Sequence, residues 1–98
     1  MWIGWIVFDL LLGDVHSLKT KRSIVRPIVA DLRRTFSVAA AETGSLDLHR
    51  RADVGASVVA ADSRHVIDVL DAMERFMAAR PEIELLSAHR GLVSSDDA

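Results

Sequence analysis

An apolar run at the start of the chain limits the possible folds more than any other feature. It extends from Trp2 to Leu12, is rich in β-branched and aromatic residues, and ends at the turn signal Gly13-Asp14. The run is about half as long as a membrane-spanning helix. It also lacks the basic leader and the small-residue cleavage site of a secretory signal. We therefore predict a β-strand of a cytoplasmic globular protein that does not enter a membrane.

Alternation along this strand divides its side chains between two faces of a sheet. One set, which we expect to point at covering helices, is Trp2, Gly4, Ile6, Phe8 and Leu10. The opposite set is Ile3, Trp5, Val7, Asp9 and Leu11. Because a strand with two apolar faces is usually covered on both, the second set also needs a partner. We predict that Ile3, Trp5, Val7 and Leu11 form an interface with a second copy of the chain or with another protein.

The rest of the chain alternates between helix and strand signals. Ser17 can cap a helix that runs to about Phe36, and Asp62 can cap a second helix. Strand patterns occupy residues 37–42, 51–60 and 83 to about 90. Pro27 lies inside the first helix, where it removes a backbone hydrogen bond and should introduce a kink at a cost of about 3 kcal/mol.

The element order β-α-β-β-α-β predicts an α+β fold, the ferredoxin-like sandwich. Right-handed crossovers then give a four-stranded antiparallel sheet of order 4-1-3-2 with two helices on one face. A chain of 98 residues has room for one domain, which we place at residues 1–93. Residues 94–98 are expected to form a flexible acidic tail.

Positive charge is concentrated in one segment. The net charge is −2, but residues 16–36 carry a local charge of +5, against −7 for the rest of the chain. The basic residues of this segment are Lys19, Lys21, Arg22, Arg26, Arg33 and Arg34. On a helix, most of them form a row away from the apolar positions, and such a row can neutralise several phosphates. The row predicts contact with RNA or with a ribosomal subunit; the alternative is a solvated helix face.

Reactive side chains form no pattern that indicates catalysis or metal binding. The chain has no cysteine, which excludes disulfides, thiolate nucleophiles and cysteine-rich zinc sites. The histidines are scattered without metal-ligand spacing, at His16, His49, His65 and His89. Ser17 is expected to cap the first helix rather than act as a nucleophile, and His16 to order the loop before it through a hydrogen bond. We therefore predict a non-enzymatic protein with no metal and no cofactor.

Two functions that ferredoxin-like folds can perform do not fit these residues. RNA-recognition motifs stack bases on aromatic residues of the central strands. The predicted strand 51–60 has none, and Trp5 is the one candidate on the open face. Acylphosphatase-like enzymes need a phosphate-cradling loop after the first strand, where this chain has Asp14, which repels an anion.

Three sequence segments resemble the YlxP family of small bacterial proteins, a domain of unknown function. Residues 9–22 read D-L-L-L-G-D-V-H-S-L-K-T-K-R, which is similar to the opening signature of that family. Residues 32–38 read L-R-R-T-F-S-V and are followed by Ala41-Glu42, which resembles L-R-x-x-F-N-V followed by A-E. Residues 47–55 read D-L-H-R-R-A-D-V-G, with His49 where the family has tryptophan.

The resemblance covers about residues 1 to 93 and implies a ferredoxin-like fold without an established enzymatic activity. It also implies an association with translation, since genes of the family often neighbour those for initiation and ribosome maturation. Two hypotheses follow: an RNA- or ribosome-associated accessory protein, and a homo-oligomeric interaction module that acts through its open sheet face. Sensing of a small ligand at a dimer interface is a third, supported by fold analogy alone.

Overall fold

Strand β1 (Trp2–Leu12) lies at the centre of the sheet. It pairs antiparallel with β3 (Arg51–Ala60) on one side and with β4 (Ile83–Ser94) on the other. Strand β2 (Ala39–Gly44) pairs with β3, so the order across the sheet is β2-β3-β1-β4. The computed structural model describes residues 1–97. The predicted ferredoxin-like topology is confirmed, since the predicted strand order is the same order read from the opposite edge.

Both helices begin at the predicted caps. The N–H of Thr20 donates to the Ser17 hydroxyl at 3.1 Å, and helix α1 follows over Leu18–Phe36. The N–H of Arg64 donates to the Asp62 carboxylate at 3.0 Å, and helix α2 follows over Ser63–Ala78. Helix α1 packs mainly over β2, whereas α2 packs over β1, β4 and β3. Neither described helix is both long and apolar enough to cross a bilayer.

The core lies between the sheet and the helices, and period two decides which strand residues enter it. In β1 the side chains of Ile6, Phe8 and Leu10 are fully buried. They meet the buried residues of β3, α1 and α2, which include Ala52, Val54, Ile28, Leu32, Val66, Leu70, Met73 and Met77. Burial of an aliphatic side chain stabilises a fold by roughly 1.5–3 kcal/mol, so this layer holds the helices on one face.

Two strand boundaries differ from the prediction. Strand β2 begins at Ala39 because Ser37 closes α1 in the left-handed conformation, with φ of 54°. Strand β4 continues to Ser94, where it pairs with Trp2 and so covers the whole length of β1. Ser94, the first residue of the predicted tail, ends β4, and a 3-10 turn follows over Ser95–Asp97. Ala98 lies outside the described residues.

Helix α1 continues through Pro27 without a break between Leu18 and Phe36. Pro27 has no N–H to donate to the Ser23 carbonyl, but both residues are exposed on the side of α1 away from the sheet. Water can hydrate a carbonyl at such a position, so the missing hydrogen bond does not end the helix.

Candidate functional site

Four basic residues lie along one flank of α1, and we call them the basic flank: Lys19, Arg22, Arg26 and Arg33. Their spacings of three, four and seven residues keep them on one side of a helix. All four are exposed, and the flank lies beside the edge strand β2. Between the two lies a groove of about 450 Å³, lined by Arg22, Arg26 and Arg33 together with Ala41 and Glu42.

The charges of the basic flank are not neutralised within the protein. Among residues 1–97, Lys19, Arg22 and Arg26 make no ion pair with a carboxylate. The chain is acidic overall, so it contains enough carboxylates to pair them. These three side chains are therefore free to meet an anionic partner.

Several arginines outside α1 show the opposite arrangement. Arg51 on β3 forms an ion pair with Asp9 at 2.6 Å. Arg90 on β4 contacts Asp71 at 2.6 Å and Glu74 at 3.0 Å. The hydrogen bond to Asp9, and then the charge of that carboxylate, raise the pKa of Arg51 above its usual range. Such arginines link a strand to a neighbouring strand or helix. Because a carboxylate pairs with each of them, they attract an anionic ligand only weakly.

Lys21 does not belong to the basic flank, although the sequence grouped it with the others. Its side chain is only 2% exposed and points inward from α1. Its Nζ donates to the carbonyls of Ser45 at 2.6 Å and Leu48 at 2.7 Å. It also forms an ion pair with Glu42 Oε2 at 2.9 Å, which is not aligned as a hydrogen bond. Because all three neighbours are oxygens of the protein itself, Lys21 cannot contact RNA.

Arg34 also lies apart from the basic flank. One residue along a helix is a rotation of about 100°, which directs Arg34 away from Arg33. Its guanidinium pairs with Asp31 while remaining 76% exposed. This partial neutralisation makes it a weaker candidate for binding an anion than Arg22 or Arg26.

Arg33 has a second role within the fold. Its Nε and Nη2 donate to the carbonyl of Ala40 on β2, at 2.9 and 2.6 Å. This forked contact fixes the guanidinium at the sheet edge while the residue stays exposed. Arg33 therefore continues the positive row, but with less freedom to move than the residues before it.

The predicted loop residues lie at the start of α1. His16 Nε2 is 2.7 Å from Asp14 Oδ1, and both side chains are exposed. The Ser17 hydroxyl is occupied by the helix cap, since it accepts from the Thr20 N–H and donates to the Thr20 hydroxyl at 2.9 Å. Within residues 1–97, no three His, Cys, Asp or Glu side chains converge on a possible metal position.

Lys21 also joins two loops, a feature that the sequence analysis missed. The loop between β2 and β3 is held by Lys21, and Arg50 at its end donates from Nε to the Gly13 carbonyl at 3.0 Å. The loop after β1 thus meets the loop after β2 at one end of the molecule, where Leu46 and Leu48 are exposed. The helical line of Lys21 with Val25, Ile28 and Leu32 was the signal for this burial.

The sheet face opposite the helices carries the second candidate surface, which we call the open face. The predicted interface residues Ile3, Trp5, Val7 and Leu11 all lie on it, and Trp5 is 43% exposed. The indole of Trp5 lies against Gly91 of β4, where a Cβ atom would collide with the ring. Beside it is a shallow depression of about 340 Å³ whose lining includes Val7, Ala41 and Gly55.

Comparison with known proteins agrees with the resemblance found in the sequence motifs. A family model described as "Protein of unknown function (DUF503)" matches residues 3–90. The chain is also similar to "Uncharacterized protein YlxP" of Bacillus subtilis (strain 168), with 28% identity over 82 residues. That match covers 84% of this chain and 89% of the relative. Neither description assigns an activity.

Proposed function

The chain belongs to the DUF503 family, whose function is unknown, and we propose that it is a non-enzymatic, cytoplasmic accessory protein that binds RNA or a ribosomal subunit through the basic flank. The observation that carries the proposal is the free charge of Lys19, Arg22 and Arg26 on one side of α1. An acidic protein that keeps such a row unpaired favours a polyanionic partner over a neutral one.

The strength and salt dependence of such binding follow from the number of phosphates contacted. Three or four contacts give a log-log slope of roughly −2.7 to −3.6. Between 50 and 200 mM salt, affinity should then fall roughly 40- to 150-fold.

The first prediction tests the basic flank directly. The double variant Arg22→Glu/Arg26→Glu reverses two exposed charges that form no ion pair within residues 1–97, so folding should be preserved, with a change of about 0.5 kcal/mol or less. Co-sedimentation with ribosomal subunits and with total RNA over a salt series should show at least about tenfold weaker binding for the variant.

A matched control separates the location of the charge from its amount. Arg64→Glu/Arg75→Glu makes the same change in net charge on exposed positions of α2. This control should bind as the wild type does. If both double variants lose binding equally, the effect is one of overall charge; if the wild type does not bind even at low salt, the proposal fails.

The open face favours a second candidate function, a homo-oligomeric interaction module. Its strands have room for roughly 600 Å² of contact, from a strand spacing of about 4.8 Å and a rise of about 3.4 Å per residue. Two such faces would bury roughly 1,200 Å², the lower end of the range for a stable protein interface. The exposed side chains of Trp5 and of Val59, which is 60% exposed, supply its apolar contacts.

A further inference from the structure

Resting on the proposed function, we infer that the RNA partner is double-stranded and is bound through its phosphates, largely without regard to base sequence. Two features of the molecule favour this class of RNA. One is the length of the basic flank along α1, and the other is the position of the aromatic side chains.

The basic flank follows one side of a continuous helix. Lys19 and Arg33 are fourteen positions apart in an uninterrupted helix, a distance of about 21 Å along the axis. The fork to Ala40 fixes the far end of the row. A line of charge along one helix fits a ligand whose phosphates already have a regular arrangement, because such a ligand loses little conformational entropy on binding. A duplex has such an arrangement, whereas a single strand must be ordered first.

Among residues 1–97, no exposed Phe or Trp side chain lies beside the basic flank. Proteins that bind single strands gain about 1–3 kcal/mol per base from stacking on aromatic rings. Phe8 is fully buried, and Phe36 packs edge-to-face on Phe76 with ring centroids 5.3 Å apart. Trp5 lies on the open face, on the other side of the sheet from α1. A single strand on the flank would therefore make phosphate contacts without stacking on a Phe or Trp ring.

The groove beside the flank offers few groups that could read base edges. Besides its arginines, which can contact guanine as well as phosphate, the lining is Val25, Val29, Ala41 and Glu42. Oε2 of Glu42 is buried 2.9 Å from Lys21 Nζ, which leaves at most one carboxylate oxygen for a base. Double-stranded RNA is recognised mainly by shape and by backbone contacts, which need no base readers.

The test measures fluorescence anisotropy at 50 mM salt with three labelled RNAs: a 20-base-pair duplex, one separated strand of that duplex, and a second duplex of unrelated sequence. The strand is chosen so that it forms no structure by itself. The first duplex should bind at least about tenfold more tightly than the strand. Ordering the strand costs conformational entropy, and stacking on a Phe or Trp ring does not offset that cost. The two duplexes should agree within about threefold. Arg22→Glu/Arg26→Glu should lose duplex binding, and Arg64→Glu/Arg75→Glu should retain it.

The outcomes distinguish the two levels of the proposal. If the strand binds as tightly as the duplex, or more tightly, this inference is overturned while RNA binding by the flank stands. A preference of more than about tenfold for one duplex overturns the independence from sequence. If neither the duplexes nor the strand binds, the inference fails, and co-sedimentation with ribosomal subunits decides the proposed function separately.

Discussion

At the scale of the residue, the ammonium of Lys21 is the contact on which one end of the molecule depends. It gathers the Glu42 carboxylate and two loop carbonyls around a single buried charge. A buried charge of this kind is tolerated only while its partners surround it, and the partners depend on it equally. The stability of the loop between β2 and β3 is therefore coupled to one side chain of α1.

Replacement of Lys21 by methionine should be strongly destabilising. Lys21→Met keeps most of the side-chain volume but leaves Glu42 and two carbonyls without their partner, at a cost of about 3–5 kcal/mol. Urea unfolding followed by circular dichroism measures this free energy. The matched variant Lys19→Met removes an exposed charge and should change stability by about 0.5 kcal/mol or less. Similar losses for the two variants would show that the Lys21 contacts contribute little.

At the scale of the element, α1 contains a residue that opposes its own geometry. Pro27 lies near the middle of the helix, with an exposed ring and no N–H for the Ser23 carbonyl. The helix persists because its other face is held by buried residues such as Val25, Ile28 and Leu32. Packing thus outweighs intrinsic helix propensity at this position.

Substitution of Pro27 should reveal this balance. Pro27→Ala restores the backbone hydrogen bond and should stabilise the protein by up to about 3 kcal/mol, whereas Pro27→Gly should gain about 1 kcal/mol less. Thermal and urea unfolding of the three proteins gives the order. We expect alanine to be the most stable, then glycine, then proline; a glycine variant less stable than wild type would contradict the argument.

Sequence patterns predicted the elements whose signals are local. The alternation in β1 placed Ile6, Phe8 and Leu10 in the core, and the caps Ser17 and Asp62 fixed the helix starts. Features that depend on distant contacts were not predicted. The length of β4 follows from pairing with all of β1. Charge counting could not show that Lys21 is buried, because its oxygen partners come from β2 and the following loop.

At the scale of the whole molecule, the two candidate surfaces lie on different sides of the sheet. The basic flank belongs to the helix layer, and the open face is the opposite side of the same strands. They meet at the edge strand β2, where Ala41 lines both the groove beside the flank and the depression of the open face. A dimer centred on Trp5 would leave Lys19, Arg22 and Arg26 of each copy exposed on α1.

Self-association through the open face predicts a measurable change for Trp5→Lys. A well-buried apolar side chain contributes roughly 1.5–3 kcal/mol, so a lysine in its place should weaken a dimer at least about tenfold. Sedimentation velocity at micromolar concentrations compares wild type, Trp5→Lys and the control Ala78→Lys, whose site is exposed on α2. The control should sediment like the wild type. A wild type that remains monomeric would exclude the homodimer.

The fork from Arg33 to Ala40 also bears on how the protein behaves when it is concentrated. An edge strand with bare backbone groups invites a strand of another molecule, and successive additions of this kind lead to fibres. In β2 the guanidinium already occupies one of those acceptors, beside a run of small alanines that would otherwise pack closely. Transfer of Arg33 to a phosphate would uncover that carbonyl. Lys19, Arg22 and Arg26 do not cover a carbonyl of β2 as Arg33 does. They can therefore bind and release an anion without exposing the edge strand to another molecule.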